Sequence, residues 1–402
     1  MKLAFLTHEP FYPPSGGGSA EALYLVQEFV RRDHDVHLFG PKVEEPEKVR
    51  QKFGVRLHEF TAWRMGRYTP LRNFKYLLYP FFLERMVTRT ARHESYDLVF
   101  SQHAIAAVAA GRLKKRLRVP VITNFLDYLT GFMETWPAIL APPPALRLLK
   151  KFELSIPRRY GVDGVLTVSD TLADFFVDAG YPRERIRPIY YGFDADLFSF
   201  RESGRIEADN HPPTVVMHGS LDHHHLRDIA VDAVALVTAR KPDVKFKLVG
   251  QRTAALESFL QRLGRRVPAA QVHCTGFVPY TEVARHLAQA ALGIVPYEES
   301  SGTHCAFVAK IVEYLAIGLP VVSTPLNSAQ RYFKDEPMIR FSEFNGCSFG
   351  EKILSWLREP RAQWEERARQ ASARVRRELD WRAICRKAVA FIEGIQQAAR
   401  SP

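Results

Sequence analysis

The sequence predicts an α/β protein built from two Rossmann-like, doubly wound domains in tandem. Short apolar runs alternate with helical patterns along the whole chain, as in parallel α/β sheets. These runs fall into two sets, and each set is large enough for a complete domain. With 402 residues, the chain is also longer than one hydrophobic core usually serves.

The predicted strands are short apolar runs bounded by turn residues. The first set is Lys2–Thr7, Asp35–Gly40, Val55–Phe60, Leu98–Ser101, Pro120–Asn124, Gly164–Val168 and Ile186–Ile189. The second set is Thr214–His218, Lys245–Val249, Val272–Thr275, Leu292–Pro296, Pro320–Ser323 and Met338–Phe341. Predicted helices lie between them, at Ser19–Arg32, Asp170–Ala179, Leu226–Arg240, Thr253–Leu263, Thr281–Gln289 and Ala309–Ile317.

A polar, charged stretch that ends in two prolines separates the two sets. We therefore expect an N-terminal domain over residues 1–200, a linker over 201–213 and a C-terminal domain over 214–380. The remaining residues, 381–402, are rich in charge and helix-periodic, and we expect them to form a helix that packs back on the N-terminal domain.

Composition limits the location and the partners. The chain has no apolar run long enough to span a membrane, its first residues are too short a run for a signal peptide, and its four cysteines are scattered without a CxxC. We expect a cytoplasmic protein.

The formal net charge of +12 favours anionic partners. Basic residues interleave with aromatic ones over Trp63–Arg92, which indicates either a solvated basic face or docking on an anionic membrane surface; no nucleic-acid module is present, so nucleic acid is not an expected partner.

Lys310 and Glu313 are the first candidate site residues. They stand three positions apart in an apolar, helix-periodic run that ends at Gly318. Amides at a helix start favour phosphate, lysine adds a positive charge, and glutamate can accept hydrogen bonds from two ribose hydroxyls. The pair predicts a grip on a nucleoside diphosphate, with a surface ion pair as the alternative.

A glycine-rich loop follows the first predicted strand. Gly16, Gly17 and Gly18 permit close approach of the backbone to a ligand, and Ser19 is a predicted helix cap. Open α/β sheets bind ligands at the carboxyl ends of their strands. The loop is therefore a candidate acceptor or phosphate loop, with a flexible connection as the alternative.

Asp127 and His103 follow two further predicted strands. A carboxylate among apolar neighbours, as Asp127 is, accepts a proton more readily, and this suits a general base. A helix-capping aspartate is the alternative for Asp127, and a core or loop histidine is the alternative for His103. The run His223–His225 lacks the spacing of a metal site, so we interpret it as a histidine-rich loop and expect no metal.

Several segments occur in an order that is more specific than any one of them. They are Pro13–Gly18, Gly161–Ser169, Arg185–Phe198, Val216–Ser220, Val295–Tyr297 and the Lys310/Glu313 helix. In this order they resemble the GT-B glycosyltransferases, particularly glycosyltransferase family 4, from residue 3 to about residue 325.

Two departures modify the resemblance. Retaining family 4 enzymes usually carry a glutamate where this chain has Cys305, and an arginine and a lysine after the turn that here ends at Ser220. The pattern is closer to a divergent GT-B group that includes the bacterial glucuronosyltransferase of xanthan assembly. That group has an aspartate, thought to be the general base, at the place of Asp127.

The resemblance implies two domains that face a central cleft, the C-terminal one holding a nucleoside-diphosphate sugar that is UDP-linked rather than GDP-linked. Lys310 would contact the diphosphate and Glu313 the ribose, while Tyr297, Gly219 and Ser220 would line the pocket. No cofactor or bound metal is implied.

The N-terminal domain would bind a glycan, lipid-linked or small-molecule acceptor, with Asp127 as the base of an inverting transfer. Gly16–Gly18 and His103 would lie near the acceptor or the phosphates. The expected location is the cytoplasm, on the inner face of the membrane. A retaining transferase, a GT-B sugar-nucleotide epimerase and a non-catalytic nucleotide-sugar-binding protein remain alternatives.

Overall fold

The computed structural model describes residues 1–9, 11–14, 17–61, 73–200 and 212–400, with the backbone alone for 73–76. Most of the predicted linker, 201–213, lies outside the described residues. So do Gly16 and the first part of the predicted docking segment Trp63–Arg92.

Every predicted strand is present, and each of its ends is correct to within one residue. The first seven strands are β1 (Lys2–Leu6), β2 (Asp35–Pro41), β3 (Arg56–Phe60), β4 (Leu98–Gln102), β5 (Val121–Phe125), β6 (Gly164–Thr167) and β7 (Ile186–Pro188). The others are β8 (Thr214–His218), β9 (Lys245–Val249), β10 (Val272–Cys274), β11 (Leu292–Val295), β12 (Val321–Ser323) and β13 (Ile339–Phe341).

Helices connect the strands. In the first half they are α1 (Gly17–Arg31), α2 (Pro46–Phe53), α3 (Asn73–Thr90), α4 (His103–Leu117), α5 (Leu129–Phe132), α6 (Pro143–Tyr160) and α7 (Asp170–Asp178). In the second half they are α8 (Asp228–Arg240), α9 (Ala254–Leu263), α10 (Tyr280–Ala288), α11 (Ser301–Cys305), α12 (Ala309–Ala316), α13 (Asn327–Tyr332), α14 (Gly346–Arg358), α15 (Glu365–Leu379) and α16 (Trp381–Ala398).

The strands form two sheets in which every described pairing is parallel. The first sheet has the order β3-β2-β1-β4-β5-β6-β7, and the second has the order β10-β9-β8-β11-β12-β13. Helices cover both faces of such sheets, so the strands are apolar throughout; β1, for example, is buried from its second residue onward. The fold is therefore α/β with two doubly wound sheets, as predicted.

The order of the strands reverses once in each sheet. The reversal lies between β1 and β4 in the first sheet and between β8 and β11 in the second. In open α/β sheets, ligands bind outside the carboxyl ends of the strands at such a reversal. The candidate residues that follow β1, β4 and β5, or β8 and β11, therefore lie at the edges where such sheets commonly bind ligands.

The chain divides into two compact units. The first comprises Met1–Tyr190 together with Arg382–Pro402, and the second comprises Tyr191–Trp381. From Arg382 onward α16 thus belongs to the first unit, where its inner face contacts β6. A Cβ added at Gly164 would lie 2.2 Å from Ile395 Cδ1 and 3.3 Å from Phe391 Cε1, so only a glycine fits this strand position.

We expect Gly164→Ala to destabilise the protein by about 1–3 kcal/mol, because the added methyl overpacks the contact with Ile395. Ile395→Val removes the obstructing methyl, so the double variant should recover part of this loss. Gly394→Ala is the matched control, since a Cβ there meets nothing within 4 Å. Urea denaturation measures the three free energies of unfolding. Equal stability of Gly164→Ala and Gly394→Ala would contradict the packing of α16 on β6.

Candidate active site

Lys310 and Glu313 lie on the predicted helix, and a separate short helix precedes it. The helix α11 ends at Cys305 and α12 starts at Ala309, so Lys310 lies in the first turn of α12. Both side chains are buried, with 9% exposure for Lys310 and 5% for Glu313, and they are not part of a solvated surface pair. A buried charge is costly unless it has polar partners, and each of these two has them.

Lys310 lies between a tyrosine and a histidine. Its Nζ donates to the Tyr297 hydroxyl at 3.1 Å and lies 3.2 Å from His225 Nε2. His225 is itself fixed, because its Nδ1 accepts from the backbone N–H of Asp222 at 3.2 Å. The loop that carries these histidines is tied to the end of β11 by the Glu298 N–H, which donates to the His224 carbonyl at 2.9 Å.

Glu313 is held through both of its carboxylate oxygens. Oε2 lies 2.5 Å from His218 Nε2, and Oε1 accepts from the Tyr280 hydroxyl at 3.1 Å. The other ring nitrogen of His218 lies 3.1 Å from the hydroxyl of Tyr314. Burial raises the pKa of Tyr314 well above its usual value, so this hydroxyl stays protonated. Each oxygen of Glu313 keeps a further lone pair with which to accept a hydrogen bond.

Gly219 makes the turn after β8 beside the Lys310 side chain. Its φ is 97°, in the region that favours glycine, and an added Cβ would lie 3.1 Å from Lys310 Cε. Gly219 and Ser220 are exposed at this edge of the sheet. The structure thus brings together Lys310, Glu313, Tyr297 and the Gly219-Ser220 turn at the strand-order reversal of the second sheet.

His218, His225 and Tyr280 are site residues that the sequence analysis missed. His225 was assigned to a histidine-rich loop, but its ring is buried against Tyr297 with centroids 4.4 Å apart. His218 is the last residue of a predicted buried strand, and a polar residue at the carboxyl end of such a strand was an available signal. Tyr280 begins a helix, where nothing in the pattern distinguishes it.

The first unit places a second group of polar side chains at the reversal between β1 and β4. His103 begins α4 with a φ of 69°, and its ring lies edge-on to His8, with centroids 4.7 Å apart. A Cβ added at Gly18 would lie 3.1 Å from His103 Nε2. Burial lowers the pKa of His103, so its imidazole is neutral near pH 7.

The predicted glycine loop needs a correction. Gly17 and Gly18 form the first turn of α1, and Ser19 lies inside that helix, so Ser19 is not its cap. Gln102 Nε2 donates to the Gly18 carbonyl at 3.0 Å, which holds this turn against the end of β4. What the two glycines provide is close packing of a helix start on the sheet edge.

Glu21 is the other site residue that the sequence analysis missed. It is buried in α1, and its Oε1 accepts from Asn124 Nδ2 at 2.6 Å. Within the part of the chain that is described, Glu21 Oε2 and Asn124 Oδ1 are buried without a hydrogen-bond partner. Burial, and the negative charge of Asp127, raise the pKa of Glu21 to about 8, although the Asn124 hydrogen bond opposes this rise. Glu21 is therefore a carboxylic acid at neutral pH, beside the half-buried Asp127.

No cluster of three or more histidine, cysteine, aspartate or glutamate side chains that could hold a metal ion occurs among the described residues. The same residues include no helix that is long and apolar enough to cross a membrane.

Comparison with known families divides the chain at the same region as the two sheets. Residues 15–197 match Glycosyltransferase Family 4, and residues 212–359 match Glycosyl transferases group 1. Together the two matches cover about four fifths of the chain.

One relative is TuaH of Bacillus subtilis (strain 168), assigned as a glycosyltransferase of teichuronic acid biosynthesis. It is 26% identical over 278 residues, which are 63% of this chain and 62% of TuaH. The matched region thus spans less than two thirds of that protein.

Solved structures share the fold over nearly the whole chain. Sucrose-phosphate synthase from Thermosynechococcus elongatus superposes with a TM-score of 0.78 at 15% identity, covering 99% of both chains. Anabaena Alr3699/HepE, solved in complex with UDP-glucose, superposes with a TM-score of 0.73 at 18% identity, covering 98% of this chain and 100% of its own. Each unit therefore has the Rossmann-like fold of a GT-B domain.

Glu21 should make stability depend on pH. It is protonated in the folded protein over a range, from about 4.5 to about 8, in which the unfolded chain is ionised. Wild-type stability is therefore greatest below this range and falls as pH rises through it. Glu21→Gln keeps the acceptor for Asn124 and cannot ionise, so it should match the wild type at about pH 5 and exceed it by on the order of 4 kcal/mol at about pH 9.

Denaturant unfolding at the two pH values measures this difference. Glu44→Gln, at an exposed position of the same unit, is the matched control and should follow the wild type at both. A Glu21→Gln variant that loses stability with pH as steeply as the wild type would show that Glu21 is ionised in the folded protein.

Proposed function

The chain belongs to the GT-B glycosyltransferases, with a family 4 segment followed by a group 1 segment, and on this basis we propose that it moves a sugar from a UDP-linked donor to an acceptor hydroxyl with inversion. The observation that carries the proposal is the placement of Lys310 and Glu313. Both charges are buried, separately held, and located at the strand-order reversal of the second sheet.

The second unit is the donor-binding unit in this proposal. Lys310 and the first amides of α12 contact the diphosphate, and Glu313 accepts from the ribose hydroxyls. The exposed Gly219-Ser220 turn lies against the phosphates, while Tyr297 holds Lys310 instead of contacting the nucleotide directly. The UDP-glucose complex of Anabaena HepE supports a uridine nucleotide as the donor.

The first unit is the acceptor-binding unit. Asp127 accepts the proton of the acceptor hydroxyl as its oxygen bonds to the anomeric carbon. The bond from that carbon to the β-phosphate oxygen breaks, and UDP leaves with its electron pair. Lys310 and the helix amides stabilise the charge on the leaving diphosphate. No metal or cofactor is needed in this scheme.

Inversion is favoured over retention by two residues. Cys305, at the position where retaining relatives carry a glutamate, is buried and has no carboxylate. Asp127 lies beside Glu21, whose pKa burial raises to about 8, so Glu21 holds a proton near neutral pH and we assign Asp127 as the base. A single displacement with Asp127 as base inverts the anomeric centre.

We also propose a class of acceptor and a location for the protein. The TuaH relationship supports a role in polysaccharide biosynthesis. The acceptor that we propose is a glycan or a lipid-linked sugar, with a small molecule as the other class. We place the protein in the cytoplasm, peripherally bound to the inner face of an anionic membrane. The finer kinship with the xanthan glucuronosyltransferase group stays a prediction.

Asp127→Asn should lower kcat by about 10²–10⁴-fold, because general-base assistance contributes this much. Donor affinity should not change, since Asp127 does not contact the nucleotide. Steady-state transfer rates and calorimetric titration with UDP measure the two quantities. Asp33→Asn, the same change at an exposed position, is the control and should retain full activity. An Asp127→Asn enzyme with wild-type turnover would remove Asp127 as the base.

Lys310→Gln and Glu313→Gln should weaken different parts of nucleotide recognition. A charge-assisted hydrogen bond contributes about 1.5–3 kcal/mol, so each change should cost roughly 10- to 100-fold in UDP affinity. Uridine has no phosphate, so its binding should weaken in Glu313→Gln and be unchanged in Lys310→Gln. Lys334→Gln, at an exposed position of the same unit, is the control. Equal losses for uridine in both variants would contradict the assigned contacts.

A further inference from the structure

The helix α6 exposes apolar side chains on its outer face. Leu148 is 72% exposed, Leu149 is 44% exposed and Phe152 is 37% exposed. Ile139, in the turn that precedes the helix, is 88% exposed. Single exposed apolar residues are ordinary, but three of them within five positions of α6 form an apolar patch that marks an interaction surface, and a fourth lies in the turn before the helix.

Basic residues surround this patch. Arg147, Lys151, Arg158 and Arg159 are all exposed, and the Arg159 guanidinium lies 5.6 Å from the centre of the Phe152 ring. The sequence of α6 contains one acidic residue, Glu153, and that residue is buried on the inner face. The outer face is therefore apolar and positively charged at once.

Helical spacing separates the two faces. Positions 148, 152, 155 and 159 follow one another at intervals of three or four and lie on one stripe. The buried residues Leu146, Glu153, Ile156 and Pro157 lie on another. We call the outer stripe with its basic neighbours and Ile139 the α6 face.

The inner stripe fixes α6 to the segment that follows Asp127. Glu153 Oε1 accepts from the Leu129 N–H at 3.0 Å, and Oε2 accepts from the Thr130 N–H at 2.8 Å and the Thr130 hydroxyl at 2.5 Å. The buried cluster of Met133, Ala141 and Leu146 adds an apolar contact at the start of the helix. A partner that binds the α6 face is therefore close to the segment that follows the candidate base Asp127.

We propose that the α6 face docks on the anionic surface of a lipid membrane, with Leu148, Phe152 and Ile139 inserted among the headgroups and Arg147, Lys151 and Arg159 against lipid phosphates. Apolar residues flanked by lysine and arginine are typical of helices that lie in the membrane interface. Since α6 does not combine the length and the apolar character needed to span the bilayer, it would lie parallel to the surface.

Charge favours a membrane over a second copy of the chain. Two α6 faces brought together would place Arg147, Lys151 and Arg159 of each copy against those of the other, and like charges repel. An anionic surface neutralises all of them.

The helix α3 offers a competing apolar patch, because Leu77 and Phe81 are exposed there. This helix falls within the segment Trp63–Arg92, for which the sequence predicts membrane docking.

The test is sedimentation with sucrose-loaded vesicles, either of phosphatidylglycerol and phosphatidylcholine in equal amounts or of phosphatidylcholine alone. Wild-type protein should sediment with the anionic vesicles and remain in the supernatant with the neutral ones. The triple variant Arg147→Glu, Lys151→Glu, Arg159→Glu should reduce partitioning to anionic vesicles by roughly 100-fold or more, because each basic residue near the surface contributes severalfold.

A second triple variant, Lys115→Glu, Arg386→Glu, Lys387→Glu, changes the net charge equally at exposed positions of the same unit. It should bind anionic vesicles much more tightly than the α6 triple variant. The pair Ile139→Gln, Leu148→Gln should also weaken binding, whereas Leu77→Gln, Phe81→Gln should not. Circular dichroism verifies that each variant is folded, and the exposed apolar pair tests the proposal even if the charge variant misfolds.

Three outcomes would overturn the proposal: equal recovery of wild-type protein with both kinds of vesicle, equal loss in the two triple variants, or loss in the α3 pair alone. Concentration-dependent self-association that the α6 variants abolish, without vesicle binding, would assign the face to a second copy instead. The assay needs neither donor nor turnover. Vesicle binding can therefore be demonstrated even if the proposed transfer reaction is wrong. Only one part of the inference rests on the proposed function, namely that docking brings a lipid-linked acceptor toward Asp127.

Discussion

A buried charge must have polar partners, and this requirement organises the second unit around α12. Lys310 and Glu313 are both withdrawn from water in the first turns of that helix. Their partners come from the end of β8, the histidine loop after it, the residues after β11 and the start of α10. Two side chains thus fix four elements in position at the edge where a nucleotide would bind. Such preorganised donors and acceptors need no rearrangement when a charged ligand arrives.

In the first unit, a buried carboxyl group avoids the cost of a buried charge by keeping its proton. Glu21 has an amide as its hydrogen-bond partner and lies near another carboxylate, so burial raises its pKa to about 8 and it keeps its proton. The nearby Asp127 is half-buried and retains contact with solvent. The proton on Glu21 removes one negative charge from the surroundings of Asp127.

The sequence was sufficient for the strands because strands of a parallel sheet that is covered on both faces are unbroken apolar runs with turns at their ends. Lys310 and Glu313 were identifiable for a related reason, since charged residues stand out within an apolar helical run. Glu21 was not, because one glutamate in a helix is usually a surface residue. The contacts of Glu313 join residues 95 and 33 positions apart in the chain, and no local spacing predicts such pairs. The start of α1 was misplaced because glycines at a helix start are not distinguishable from glycines in a loop.

The two faces of α6 are under separate constraints. Leu146, Glu153, Ile156 and Pro157 are buried and determine how the helix sits on the first unit, whereas substitutions on its outer face change folding stability little. The outer residues can therefore be exchanged without changing how α6 packs on the first unit. The surface that the first unit presents to a partner is thus adjustable independently of the packing that positions the segment after Asp127.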